Sequence, residues 1–264
     1  MKILNFLFSR SKQEQDKPIR DKLKTRKDFE RVLAEDLDIM ETTKARMDTA
    51  KNINLYMYRS LSYSYILILQ SKYSVDAKID ELRDIYIKSM HYFLQAFNKR
   101  NPIYADILNY VSLGVLLNIP DDNFRQLIDY VKQMDKQAKP SGWTPDLLLW
   151  FMLNSRMKEQ EKQKYAETLA YPRLYNGLYK VKQAPNAAAA KDALNKYLDR
   201  WYNLNSNAPW YNSHLKDNSY RGYWAWEVAA VAKIMHIDDS DLKNNQYYPY
   251  DMVHWENNET TAKE

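Results

Sequence analysis

Glu227 is the carboxylate in this chain with the surroundings to become reactive. It lies within an apolar run (Tyr223, Trp226, Val228, Ala230, Val231, Ile234) that reads as a helix buried nearly all round, with Ser219 able to cap its start. A buried carboxylate must find a donor; given a pocket and a partner it could act as a general base. A Tyr hydroxyl, a Trp N–H or an Arg such as Arg59 would also satisfy it, and we read Glu227 as structural. The acid pairs Asp121-Asp122 and Asp238-Asp239 each follow an apolar helix and read as caps of the next element. Of the four histidines, His91, His214, His236 and His254, none is three or four residues from another, so no helical metal motif exists. His236, at a helix end, suits the C-terminal dipole. Cys is absent, which excludes disulfides, thiolate zinc sites and cysteine nucleophiles. With four Gly and no GxSxG, GxGxxG or GxxxxGK[ST] motif, hydrolase and nucleotide-binding readings have no support. The expectation is a non-enzyme with no catalytic residue, no metal and no cofactor.

The elements around these residues read as helices almost throughout: an all-α, multi-helix bundle of antiparallel helices in two subdomains. From Asp28, the positions Phe29, Val32, Leu33, Leu37, Met40 and Met47 step by three, four or seven, one face of a long helix. Residues 53–72 are apolar on most sides. Asp76 can cap a third helix carrying Ile79, Leu82, Tyr86, Met90, Phe93 and Phe97. Pro102 suits the first turn of another, and Pro120 with Asp121 separates it from the next. Lys139–Pro145 holds two prolines and a glycine and is the expected domain boundary. Helices are expected over 146–153, around 160–169, over 171–183, and after Pro185 and Asn186. An aromatic stretch, Asn203–Asn218, follows. The run Leu113–Leu117 with Ile119 and Asp121-Asp122 echoes Val231–Ile237 with Asp238-Asp239, by coincidence or as a trace of two related halves. The expected organisation is a disordered basic arm 1–20, helical domains 21–139 and 140–256, and a disordered tail 257–264.

Charge is unevenly spread. The net value is +5; residues 1–31 carry ten bases against five acids, and residues 217–264 carry nine acids against four bases. The densest aromatic cluster, 201–255, coincides with the acidic end, which repels phosphate and favours a protein partner over nucleic acid. The first residues lack a signal-peptide pattern, and the longest apolar run, Tyr65–Leu69, is too short to span a membrane. A soluble, cytoplasmic protein with no membrane partner is expected.

Within Ser219–Trp255, Gly222, Tyr223, Trp224, Trp226 and Glu227 are followed by Ile237, Asp238 and Asp239, then by Tyr247, Tyr248, Pro249, Asp251 and Val253. This order resembles the C-terminal domain of the PoNe immunity protein family (PoNi). More weakly, YSVDAKIDELRDIYIKSM, Tyr73–Met90, resembles that family's N-terminal domain, with Val75 where the family usually has Gly. The resemblance spans roughly 20–256. It implies an immunity protein that binds and neutralises a cognate antibacterial toxin, a PoNe-type DNase, of the polymorphic and type VI secretion toxins of interbacterial competition. Gly222, Tyr223, Trp224, Trp226, Glu227 and Pro249 are its structural signature. The expected toxin-binding residues are Asp238, Asp239, Asp241, Tyr247, Tyr248 and Asp251, acids and aromatics suited to a basic nuclease. A chain basic overall differs from a nucleic-acid mimic, so binding in the toxin's cleft and binding beside it both stay open, as do monomer and homo-oligomer. The alternatives are a helical-repeat scaffold without a toxin, for which no 34-residue period appears, and an enzyme using Glu227 with Tyr or His.

Overall fold

The computed structural model describes residues 18–96, 103–136, 143–216 and 218–261. Among them are ten α-helices and no strand, the all-α class that the periodicity predicts. The chain divides into two compact units, Met1–Phe97 with Asn212–Tyr223, and Asn98–Tyr211 with Trp224–Glu264.

The first unit holds α1 (Arg26–Thr49), α2 (Leu55–Ser74) and α3 (Ile79–Ala96). A capping box starts α1: Asp28 N–H donates to Thr25 Oγ1, and Thr25 N–H donates to Asp28 Oδ2 at 3.0 Å. Phe29, Val32, Leu33 and Met40 lie buried along one stripe of α1, each stabilising by roughly 1.5–3 kcal/mol. α2 packs against both α1 and α3, which is why it has no continuous polar face. Asp76 is not the cap of α3. It takes the left-handed position of the α2–α3 turn at φ 77°, and its carboxylate lies 3.1 Å from Arg20 Nη2. Val75 keeps φ −94°, so the missing glycine does no harm there. Arg20 also donates to the carbonyls of Tyr73 (3.0 Å) and Ala77 (2.9 Å) and is therefore not part of a frayed arm; residues 1–17 of that arm lie outside the described residues.

Asn212–Tyr223 completes this unit. Arg221 donates from Nε and Nη2 to both oxygens of Asp36, at 2.7 and 2.8 Å, and both residues are buried. The Tyr220 hydroxyl donates to Asp21, and Ser74 Oγ donates to the Arg221 carbonyl at 3.0 Å. Ser219 therefore does not cap the signature helix, which begins at Trp226; Ser219–Tyr223 has no regular secondary structure, and Gly222 takes φ 107°, where a side chain would be strained.

The second unit comprises α4 (Tyr104–Leu116), α5 (Asp121–Lys136), α6 (Leu147–Asn154), α7 (Pro172–Lys182), α8 (Ala187–Leu204), α9 (Trp226–Met235) and α10 (Tyr250–Thr261). α4 and α9 are buried on nearly all sides and pack on each other. The compact units part at Phe97/Asn98; of the expected boundary Lys139–Pro145, residues 139–142 lie outside the described residues. Asp135 lies at the end of α5. Its carboxylate accepts from Trp143 Nε1 (2.8 Å), Trp150 Nε1 (2.7 Å) and the Tyr165 hydroxyl (2.8 Å), holding both sides of the Pro-rich segment in one unit. Of the expected helix at 160–169 only a 3₁₀ turn, Glu159–Glu161, is present. Leu147 N–H donates to the Thr168 carbonyl at 3.0 Å, and the Asn154 side chain pairs with the Gln163 backbone (2.7 and 2.9 Å). These tertiary bonds hold residues 162–169 out of helix against the segment's helix propensity. α10 continues past the expected end at 256 to Thr261, and residues 262–264 lie outside the described residues.

Candidate functional site

Glu227 stands in the first turn of α9 and reaches α8: Trp201 Nε1 donates to its Oε1 at 2.6 Å. Of the donors the sequence offers, a tryptophan N–H makes this bond. Burial pushes the Glu227 carboxyl up to about 7, against the lowering effect of the Trp201 bond. Trp201 is buried, and rings continue outward from it. Trp210 stacks on it at 5.4 Å, and Tyr247 leans on it at 5.6 Å. Tyr202, next on α8, is stacked by Tyr247 (5.2 Å, planes within 4°) and by Tyr211 (4.5 Å). Tyr202, Trp210, Tyr211 and Tyr247 are all half-buried. Tyr202, Trp210 and Tyr211 are not among the residues expected from sequence, although Trp-Tyr-Asn occurs twice, nine residues apart, at 201–203 and 210–212. The repeat sets like on like, Trp201 with Trp210 and Tyr202 with Tyr211.

The acidic turn after α9 splits into outside and inside. Asp238 and Asp241 are exposed and share Lys191 Nζ of α8 at 2.9 and 3.2 Å, and Asn195 Nδ2 donates to Asp241 at 3.0 Å. Ser240 and Lys191 hold the Asp238 carboxyl well below the usual carboxylate range. Asp239 is buried. Its oxygens meet the Tyr248 hydroxyl at 2.6 Å and His254 Nε2 at 2.7 Å, and Tyr248 is itself buried. These two were expected on a binding surface; they fasten the turn to the start of α10 instead, because an acid at 2% exposure serves only groups inside. Asp251 is exposed and Tyr247 half-buried. Ala225 N–H donates to the Tyr247 carbonyl at 2.8 Å, tying this bend to the entry of α9. Thus Trp224, Trp226, Glu227, Tyr247, Tyr248 and Pro249 come together in the second unit, while Gly222 and Tyr223 belong to the first.

The other buried acids are engaged in holding backbone and side chains. Asp146 caps α6 through Leu149 N–H (2.7 Å) and also accepts from Ala170 N–H (2.7 Å) and the Tyr104 hydroxyl (2.8 Å). Asp121, by contrast, is exposed; it sits in the first turn of α5, paired with Arg156. Among the described residues no group of three His, Asp or Glu is arranged to hold a metal ion, and no helix is long and apolar enough to cross a membrane. His236 is the exposed, left-handed C-cap of α9, at φ 51°.

Two family models match this chain: PoNe immunity protein (PoNi), N-terminal, over residues 11–129, and PoNe immunity proteins (PoNi), C-terminal, over residues 144–252. The chain belongs to the PoNe immunity protein family. Both PoNi domains are present. They meet between residues 129 and 144, whereas the compact units divide at Phe97/Asn98 and exchange Asn212–Tyr223. PoNi proteins as a family are generally non-enzymatic. The crystal structure of protein PA2201 from Pseudomonas aeruginosa has a similar fold, with a TM-score of 0.69 over 96% of this chain and 93% of that one at 18% identity. No curated protein matches the chain.

Proposed function

We propose that this PoNi protein acts in the cytoplasm, where it binds a cognate antibacterial toxin, a PoNe-type DNase, and neutralises it without chemistry of its own. The match of both PoNi domains carries this reading. The acidic turn supplies the working surface. A nuclease must present positive charge to hold phosphate, and Asp238, Asp241 and Asp251 are exposed while a single lysine, Lys191, serves two of them. Such a surface steers a basic partner and then either fills the cleft or obstructs it from beside.

The test is co-expression with a PoNe-type DNase toxin. The wild-type protein should restore growth and co-purify with the toxin. Asp238→Lys with Asp241→Lys should slow association several-fold at low salt, where screening is weak, with the melting temperature nearly unchanged. Untouched association at low salt moves the interface elsewhere, first to α1–α3.

A further inference from the structure

We propose that the stacked rings of Tyr202, Tyr211, Tyr247 and Trp210 anchor a cationic segment, bearing Arg or Lys, of the partner protein. This rests on the toxin-binding reading above and adds to it a surface outside the acidic turn. The rings are half-exposed yet held in place. Tyr202 is clamped between Tyr211 and Tyr247, and Trp210 lies on buried Trp201, whose indole N–H is fixed by Glu227. Rings already ordered lose little entropy on binding, which is what a hot-spot aromatic needs.

Charge selects the occupant. On α8, positions 191, 195, 199 and 202 are spaced by four, four and three and share a face. Along it lie Lys191 with its two aspartates, Asn195 bonded to Asp241, exposed Asp199, and then Tyr202. Lys191 neutralises one of its two carboxylates, so Asp199 and one more acid remain on the approach to the rings. Lys196, on the adjoining stripe, pairs with Asp192 at 2.7 Å, and exposed Arg200 is turned about 100° from Asp199. Stacked rings with exposed Asp199 one helical turn from Tyr202 attract a guanidinium or ammonium. A nucleic-acid base could stack on the same rings, but its phosphates would meet these acids.

The test titrates a nuclease-inactive PoNe-type DNase domain into the full-length protein, with oligothymidylate as the nucleic-acid probe. Tyr202→Ser and Tyr211→Ser should each weaken toxin binding at least about tenfold. Tyr202→Phe, which keeps the ring, should bind within about twofold of wild type. Tyr56→Ser and Tyr63→Ser, replacing the exposed tyrosines of α2 at 76% and 64% exposure, serve as controls and should change nothing. If Tyr202→Ser also lowers the melting temperature, Tyr211→Ser and the Phe variant decide. Toxin binding that is equally tight in wild type and both Ser variants overturns the anchor and leaves the toxin reading standing. No binding by wild type removes both. Oligothymidylate that binds wild type and competes with the toxin overturns the cationic occupant in favour of nucleic acid.

Discussion

At the scale of single residues, this protein spends its unusual carboxylates on architecture, and Glu227 shows how. Its partner is a neutral indole N–H at 2.6 Å, so nothing there balances a full negative charge. Burial accordingly lifts its pKa from the model-peptide range to about 7. The sign of the pH effect follows. Between the unfolded value and about 7 the folded protein holds a proton that the unfolded chain has released, so this group lowers stability as pH rises through that window and has no further effect above it. Glu227→Gln keeps an acceptor for Trp201 and removes the charge. Its melting temperature minus that of wild type should therefore climb between about pH 5 and pH 8, measured by calorimetry at several pH values. A difference that stays flat across the range would show that the carboxylate is already comfortable as an anion. Glu227→Ala should cost roughly 1–3 kcal/mol at about pH 5, the scale of an orphaned indole N–H and not of a broken ion pair, and less as pH rises through about 7, where the wild type itself loses stability.

At the scale of elements, the internal echo noticed in the sequence has a local cause. α4 and α9 end in the same way. Ile119 N–H donates to the Gly114 carbonyl and Ile237 N–H to the Ala232 carbonyl, each reaching back five residues, and the residue before each isoleucine, Asn118 or His236, is left-handed with φ 42° or 51°. Both isoleucines are buried, as this C-terminal cap requires of its trailing apolar residue. Glycine adopts that backbone without strain. His236→Gly should thus raise stability by about 0.5–1 kcal/mol, seen as a melting temperature a few degrees higher, whereas Asn118→Gly should gain less because Arg156 Nη1 donates to the Asn118 side chain at 3.0 Å. If His236→Gly melts lower, the imidazole contributes more than the strain it causes. The same comparison marks what the sequence makes legible. Buried stripes at three- and four-residue spacing, as in α1, α5 and α8, can be read directly because one helix face decides them. Segments decided by distant partners cannot: 162–169 is kept out of helix by bonds from Asn154 to Gln163 and from Leu147 to Thr168, and Ser219–Tyr223 is tied to Asp21 and Asp36. At the candidate site, the exposed Asp238, Asp241 and Asp251 were visible as charge, but nothing local separates them from Asp239, whose burial depends on Tyr248 and His254.

At the scale of the whole molecule, the chain leaves the first unit near Phe97, returns to it at Asn212, and leaves again after Tyr223. A sequence-level division near residue 140 therefore hides a dependence: α1–α3 are completed by a strap from the far half of the chain. Arg221 is the centre of that strap, bidentate on Asp36 with a third bond from Nη1 to the Asn218 carbonyl at 2.9 Å. Burial raises the Asp36 carboxyl, and the Arg221 hydrogen bonds lower it, so the acid depends on its cation. Arg221→Met strands Asp36 and should destabilise by roughly 3–5 kcal/mol at neutral pH. The loss should shrink on acidification, because protonated Asp36 no longer needs the guanidinium. The double variant Asp36→Leu with Arg221→Met replaces both charges by apolar groups and should recover most of the loss, since a buried pair yields little net stability over a packed apolar one. Native-state hydrogen exchange locates the damage. With Arg221→Met, amides of α1–α3, in the unit that the strap completes, should exchange faster than those of α4 and α9 in the second unit. Equal acceleration in α4 and α9 would mean that the two units open as one, and that the strap stabilises more than the unit it completes.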